Sequence, residues 1–175
     1  MTNHAPKTIS QHLTDNHTWL HALLSAASYG GHFDGDAFEV FRANMLRHIG
    51  IEEKLLLPAA RRIRGEPIAR ARALRVEHAA LTSLLVPTPD LALCVELTAL
   101  LTAHDAQEEG DDGVYAECEQ LLGDERSRAL AEQAADFPAV PVVAHFDGPG
   151  TYRTAALALA AASRIKPTKH QQVER

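Results

Sequence analysis

The chain has 175 residues and a net charge of −6, with 46% apolar and 23% charged residues. This length supports one sizeable hydrophobic core. The acidic balance argues against a surface for nucleic acid or anionic membranes, and the longest apolar stretch is too short to span a bilayer. The two cysteines, Cys94 and Cys118, form no CxxC pair, and the N-terminal residues lack a signal-peptide pattern. We therefore expect a cytoplasmic protein without a disulfide framework.

Apolar residues at helical spacing predict four long helices. They cover about residues 8–29, 36–64, 67–86 and 89–109, and a helical pattern resumes after GDDG (110–113), which is expected to weaken or bulge the fourth helix. Pro58 lies inside the second predicted helix and should disturb it. Because short connections make neighbouring helices antiparallel, we predict an all-α fold, an up-down-up-down antiparallel four-helix bundle with additional C-terminal helices.

Composition changes after the fourth predicted helix. We assign residues 1–123 to the bundle and residues 124–175 to a C-terminal helical extension. The extension reads as a short helix capped by Asp124, a crossing rich in proline and glycine, and an alanine-rich helix with a polar tail. It should pack either on the bundle or on a partner chain, which would allow a homodimer through the C-terminal helices.

A pair of helical motifs occurs twice along the chain. HTWLHALL from His17 and HAALTSLL from His78 both place leucine three, six and seven residues after the histidine. HIGIEE from His48 and HDAQEE from His104 both place glutamates four and five residues after it. The repeat singles out these four histidines, all of which lie on apolar helix stripes.

The repeated motifs predict a cluster of metal ligands. Residues i and i+4 share a helix face, so each HxxxE motif presents one imidazole and one carboxylate to the bundle interior. Buried carboxylates are unfavourable unless they are paired or bound to a cation. We therefore predict six metal ligands from the four helices: His17, His48, Glu52, His78, His104 and Glu108.

The other histidines have no counterpart in the repeat. His21 lies one turn after His17, but Thr82 occupies the matching position of the repeat, which makes His21 a weaker candidate. We expect solvated or capping roles for the rest: His4, His12, His32, His145 and His170.

Residues 10–122 resemble the hemerythrin-like family, also called the HHE cation-binding domain. The resemblance rests on DNH in helix 1, HIGIEEKLLLP in helix 2, EH in helix 3 and HDAQEE in helix 4. It implies a four-helix bundle that holds two iron ions joined by an oxo or hydroxo bridge, with the four histidines as terminal ligands. It also implies two bridging carboxylates, which we assign to Glu52 and Glu108.

Two positions depart from the oxygen carriers of this family. The carriers use a carboxylate five residues after the last histidine, which would select Glu109 if helix 4 had a π-type bulge; Glu108 is preferred because it matches the spacing of Glu52. Glu53 is then expected to be solvated or to support the ligands. Leu74 stands where the carriers have a fifth histidine, so one more coordination position stays open, which favours reaction over reversible oxygen carriage.

The resemblance leads to a predicted function. We expect a non-haem diiron protein that binds oxygen or a related small diatomic ligand, as a sensor, carrier or iron-handling module. One alternative is a diiron enzyme that reduces peroxide or nitric oxide. Its candidate proton donors, Asp111, Asp112 and Tyr115, are more typical of a solvated helix face or loop. A second alternative is a zinc-bound or metal-free bundle with a regulatory or interaction role.

Overall fold

A computed structural model describes residues 7–164, and within that range the chain forms helices and no β-strand. This confirms the all-α class. Across residues 7–164, no helix has both the length and the apolar character needed to cross a membrane. The helices are α1 (Ile9–Ala27), α2 (Gly35–Ile51), α3 (Leu57–Arg64), α4 (Ala71–Leu84), α5 (Leu91–Glu109), α6 (Val114–Ala135) and α7 (Ala155–Ala162). His4 and His170 lie outside the described residues.

Side-chain caps define the starts of several helices. The Thr8 hydroxyl accepts a hydrogen bond from the Gln11 backbone N–H at 3.3 Å, and the Gln11 side chain accepts one from the Thr8 N–H at 3.0 Å. Asp34 and Asp90 cap α2 and α5 by accepting a hydrogen bond from the backbone N–H three residues on, without the reciprocal bond. These caps bind N–H groups that have no partner within the first helical turn, which stabilises each start.

A π-helical segment, Glu52–Leu56, joins α2 to α3 in one continuous helix. Pro58 has no N–H, so the regular hydrogen-bond ladder cannot continue through it. The Leu57 N–H instead donates to the Glu52 carbonyl five residues earlier, in the wider turn of a π-helix. The disturbance predicted at Pro58 takes this form. The sequence also left open a π-type bulge in predicted helix 4, which corresponds to α5. That expectation is wrong, because α5 is a regular α-helix through Glu109.

The GDDG stretch ends α5, whereas the sequence suggested a weakened or bulged continuation. In the turn that follows, the Gly113 N–H donates to the Gly110 carbonyl at 2.7 Å. The helical pattern does resume, but in a separate helix, α6, which packs against α1, α3 and α5. Gly123, with φ of 67° and ψ of 166°, interrupts α6 next to the predicted boundary at residue 124.

The C-terminal segment packs on the same chain. Helix α7 contacts α4 and α5. The stretch before it is also fixed to the helices: Arg47 Nε donates to the Phe137 carbonyl at 2.9 Å, and the Thr88 N–H donates to Asp147 Oδ1 at 2.9 Å. The sequence left two placements open, and in the structure the segment packs on helices of its own chain; a homodimer stays a prediction.

Two clusters of buried apolar side chains form the core, and the predicted ligands lie between them. In α1, His17 is flanked by Leu13 of one cluster and Leu20 of the other. The histidine of α4 is flanked in the same order by Leu74 and Leu81. The helices thus place a polar layer between two apolar layers, where unpaired polar groups would be strongly destabilising.

Candidate metal centre

The structure brings all six predicted ligands together in the interior. Each of the six residues has at most 4% of its surface exposed. They form two groups, each with one ligand atom per residue within 4.8 Å of the others: His17, His48, Glu52 and Glu108, and Glu52, His78, His104 and Glu108. Both groups contain the same two glutamates. Each group could hold a metal ion, and the two positions would share both carboxylates.

In the first group, the histidines come from α1 and α2. His17 Nε2 lies 3.0 Å from His48 Nε2 and 3.2 Å from Glu108 Oε2. His48 Nε2 lies 3.5 Å from Glu52 Oε1, because the two residues are four apart on one helix. Four ligand atoms from three helices therefore face one point.

The second group takes its histidines from α4 and α5. His78 Nε2 lies 3.0 Å from Glu52 Oε2, and His104 Nε2 lies 3.3 Å from Glu108 Oε2. Within residues 7–164, four atoms of this group make no hydrogen bond of normal geometry, even though two of them lie 3.0 Å apart: Glu52 Oε2, His78 Nε2, His104 Nε2 and Glu108 Oε1. Buried polar atoms normally have a partner. Imidazole nitrogen and carboxylate oxygen are ligands for iron or zinc, so these residues fit a metal ion.

Carboxylates outside the ligand groups orient three of the four histidines. In each case the Nδ1–H donates to a glutamate, which leaves the Nε2 lone pair facing the centre. The pairs are His17 with Glu109 at 2.5 Å, His78 with Glu53 at 2.9 Å, and His104 with Glu77 at 2.8 Å. This arrangement is typical of metal-binding histidines.

These contacts separate the roles of neighbouring glutamates. Glu109 accepts from the outer nitrogen of His17, whereas Glu108 lies between the two histidine pairs, so the geometry favours Glu108 as the central carboxylate. Glu77 is a supporting residue that the sequence analysis missed. A usable signal existed, because Glu53, Glu77 and Glu109 each adjoin a predicted ligand in the sequence.

Tyr115 is the largest departure from the sequence prediction. Its side chain belongs to a residue only 3% exposed, so the expectation of a solvated position is wrong. The hydroxyl donates to Glu52 Oε1 at 2.6 Å and lies 3.2 Å from both Glu108 Oε2 and His17 Nε2. The two aspartates of the GDDG turn are exposed, as expected. The turn breaks the helical phase, so periodicity could not place Tyr115.

His21 reaches the centre through another residue. Its Nε2 lies 2.7 Å from Asp105 Oδ2, and Asp105 Oδ1 lies 3.6 Å from His17 Nε2. The His21 side chain is 36% exposed, whereas that of Asp105 is 11% exposed. His21 is thus a link between solvent and the centre and belongs to neither ligand group. His145 contacts Glu39 on another part of the surface, in keeping with its predicted role.

Nearby carboxylates outweigh burial in setting the pKa of two histidines of the metal-free centre, whereas burial lowers the pKa of His48. Burial lowers the pKa of His17, but Glu108, with Asp105 and Glu109, outweighs burial and raises it to about 9. His78 behaves alike: burial lowers its pKa, while Glu52 and Glu53 raise it to about 10. In the metal-free chain, the pKa values of both imidazoles therefore lie above the ordinary value for histidine.

The two central carboxyl groups have opposite pKa shifts. Burial raises the pKa of Glu108, and the nearby Glu52 charge adds to this, giving a value of about 7. The pKa of Glu52 is lowered despite burial, because His48 and His78 stabilise its charge. Burial and these two carboxylates raise the pKa of Tyr115 well above its usual range. Without metal, the charge on each central carboxyl group therefore depends on its charged neighbours.

Comparison of the chain with protein-family models, curated proteins and solved structures finds no match. The fold and the site therefore define its class. It is an all-helical protein with a buried histidine–carboxylate centre that could hold metal ions.

Proposed function

We propose that this chain is a non-haem diiron protein of the hemerythrin-like type, in which α1, α2 with α3, α4 and α5 form an up-down-up-down bundle. The observation that carries the proposal is the sharing of Glu52 and Glu108 between the two ligand groups. Glu52 turns Oε1 towards His48 and Oε2 towards His78. A carboxylate with one oxygen on each side is suited to bridge two ions.

The donor set supports iron over zinc. A structural zinc site is usually four-coordinate, with a single closed set of ligands. Here two groups of nitrogen and oxygen ligands overlap, and sulfur is absent from both. Such mixed imidazole and carboxylate sites suit iron. When bound, iron supplies the capacity to bind oxygen or a related small diatomic ligand.

The protein around the centre supports a small, uncharged ligand. One cluster of buried apolar side chains borders the ligand layer. It would limit the entry of water and of polar molecules. We assign the chain a role as sensor, carrier or iron-handling module for a diatomic ligand. The residues of this wall include Leu20, Leu24, Phe41, Leu81 and Leu101.

One observation favours the second candidate, a diiron enzyme that reduces peroxide or nitric oxide. Reduction of either ligand consumes protons, which must reach a buried site. Asp105 lies between the partly exposed His21 and His17 of the centre. This pair gives the chain a polar connection to solvent.

Metal analysis tests the proposal. We expect about two iron ions per chain after loading with ferrous iron, and a near-ultraviolet absorption band after oxidation. His145→Ala, which alters a histidine far from the centre, should keep the same iron content. One zinc ion per chain, with iron refused, would contradict the proposal.

Kinetics then separates the two candidates. A binding protein should form an oxygen adduct that releases oxygen on evacuation. An enzyme should instead show steady-state turnover of peroxide or nitric oxide under excess reductant, and His21→Ala should slow that turnover while leaving the iron content unchanged.

A further inference from the structure

The Tyr115 hydroxyl occupies a place in the centre that the six ligands do not account for. It lies at the first group, within 3.2 Å of ligand atoms from His17, Glu52 and Glu108. Tyr115 follows the GDDG turn at the start of α6, so a helix outside the four that carry the predicted ligands delivers it. The single O–H of a phenol can donate to only one of these three atoms at a time.

The spacing around this oxygen matches that of neighbouring ligands on one ion. Metal–ligand bonds of about 2.1 Å at right angles place adjacent ligand atoms about 3 Å apart. The Tyr115 oxygen lies 2.6 Å from Glu52 Oε1 and 3.2 Å from His17 Nε2. The first group itself has a similar spacing, 3.0 Å between the Nε2 atoms of His17 and His48.

We propose that the phenol oxygen of Tyr115 is a fifth protein ligand to the ion held by His17, His48, Glu52 and Glu108. This inference rests on the proposed function, because it requires an ion at the first position. Coordination forms a bond from the phenolate oxygen to the ion, and the phenol proton is released to bulk water, as happens generally when metals bind protonated ligands. The charge of the ion stabilises the phenolate that the metal-free site disfavours.

The ligand makes the two positions unequal. The first has five protein ligand atoms, whereas the second has the four from Glu52, His78, His104 and Glu108. Leu74, one turn before His78, offers no further ligand to the second position and packs in an apolar cluster. A diatomic ligand would therefore be held at the second position, which has fewer protein ligand atoms.

A surface cavity is lined in part by a residue that contacts a ligand of the second position. It has a volume of about 140 Å³ and is lined by residues that include Glu53, Arg61 and Arg75. Glu53, in the wall of this cavity, is also the residue that binds His78 Nδ1 at 2.9 Å. The cavity thus reaches the residue that orients His78, a ligand of the less saturated position.

Tyrosinate spectroscopy tests the inference directly. In ferric-loaded protein we expect a visible charge-transfer band and, on excitation into it, resonance Raman modes of tyrosinate that shift with ring-deuterated tyrosine. Tyr115→Phe should lose the band completely. The chain has three tyrosines, and Tyr29→Phe and Tyr152→Phe are matched controls that should keep it. Zinc titration of the metal-free chain should also give a tyrosinate difference spectrum, which removes the dependence on iron.

The outcomes separate this inference from the proposed function. Two ions per chain without a tyrosinate signal would overturn the Tyr115 ligand and leave the diiron proposal standing. Failure of the wild type to bind any ion would overturn both, whereas one ion per chain with a tyrosinate signal would overturn the diiron proposal alone. The labelled wild-type spectrum needs no variant, so it decides the matter even if Tyr115→Phe folds poorly. A band that survives in folded Tyr115→Phe would also contradict the inference.

Discussion

His78 donates its Nδ1–H to the carboxylate of Glu53 at 2.9 Å, on the opposite edge of the ring from its Nε2. This bond sets the tautomer that leaves Nε2 free to bind metal, and it holds the ring towards Glu52. The two adjacent glutamates thus have different roles. Glu52 faces the centre, and Glu53 orients a histidine from another helix.

Glu53→Gln should weaken metal binding without unfolding the chain. Glutamine can still accept the Nδ1–H bond, but it lacks the charge that increases the basicity of the ring. Loss of such a supporting carboxylate lowers metal affinity about 10- to 100-fold. Competition with a chelator would measure the change. Glu132→Gln alters an exposed glutamate of α6 and serves as the control; equal affinities for the two variants would contradict the role of Glu53.

Glu52→Ala should remove both ions together, because Glu52 belongs to both ligand groups. His17→Ala removes a ligand of the first group alone, so it should reduce the content from about two ions to about one. Metal analysis of the purified variants, with circular dichroism to verify folding, would show the difference. A Glu52→Ala protein that retained one ion at full occupancy would argue against the shared carboxylate.

The six central ligands were accessible from sequence because helix geometry is local. Spacing of four residues places His48 with Glu52 on one face wherever the helix goes, and the repeat then pairs this motif with the one at His104. The buried layer between two apolar clusters follows from the leucines on either side of each histidine.

Tyr115 and Glu77 could not be found in the same way. The position of Tyr115 depends on the GDDG turn, whose direction is set by tertiary packing of α6 against α1 and α5. Glu77 lies beside a ligand in sequence, but its partner, His104, is on another helix. Contacts between helices depend on their rotation and height, which periodicity leaves undetermined. Pro58 likewise predicted a disturbance of the second helix, but not that it would take the form of a π-helical segment.

The metal-free chain should lose stability as pH rises. His17 and His78 have folded pKa values raised to about 9 and about 10, above the ordinary value of 6.5. Groups with raised pKa values bind more protons in the folded state, so their contribution is complete below about pH 6.5 and disappears as pH passes 9 to 10. The raised pKa of Glu108, about 7, acts in the same direction between its ordinary value and neutrality.

Urea unfolding of the metal-free protein at a series of pH values would measure this trend. We expect the urea concentration at the unfolding midpoint to decrease as the pH is raised from 7 to 10. His78→Gln should flatten that fall, because it removes the group with the higher pKa, whereas His145→Gln should leave the slope as in the wild type. A midpoint that rises over this range would show that the sign is wrong.

Gly113→Ala should disturb the centre from outside it. A Cβ atom at Gly113 would collide with the backbone carbonyl of Glu108 and would lie 2.7 Å from that of Gly110. Backbone atoms cannot rotate away, so the turn must shift, at a cost of about 1–3 kcal/mol in the free energy of unfolding. The shift moves the end of α5, which carries Glu108, and the start of α6, which carries Tyr115.

Gly35→Ala is the matched control for this variant, because its Cβ would meet only a Phe33 ring atom at 3.7 Å, an ordinary contact. We expect Gly35→Ala to unfold at the wild-type urea concentration or slightly above it, since alanine favours a helix over glycine. Gly113→Ala should unfold at lower urea and show a weaker tyrosinate band than the wild type. An unchanged unfolding midpoint for Gly113→Ala would mean that the α5–α6 turn accommodates the added Cβ atom. The position of Tyr115 would then not depend on this glycine.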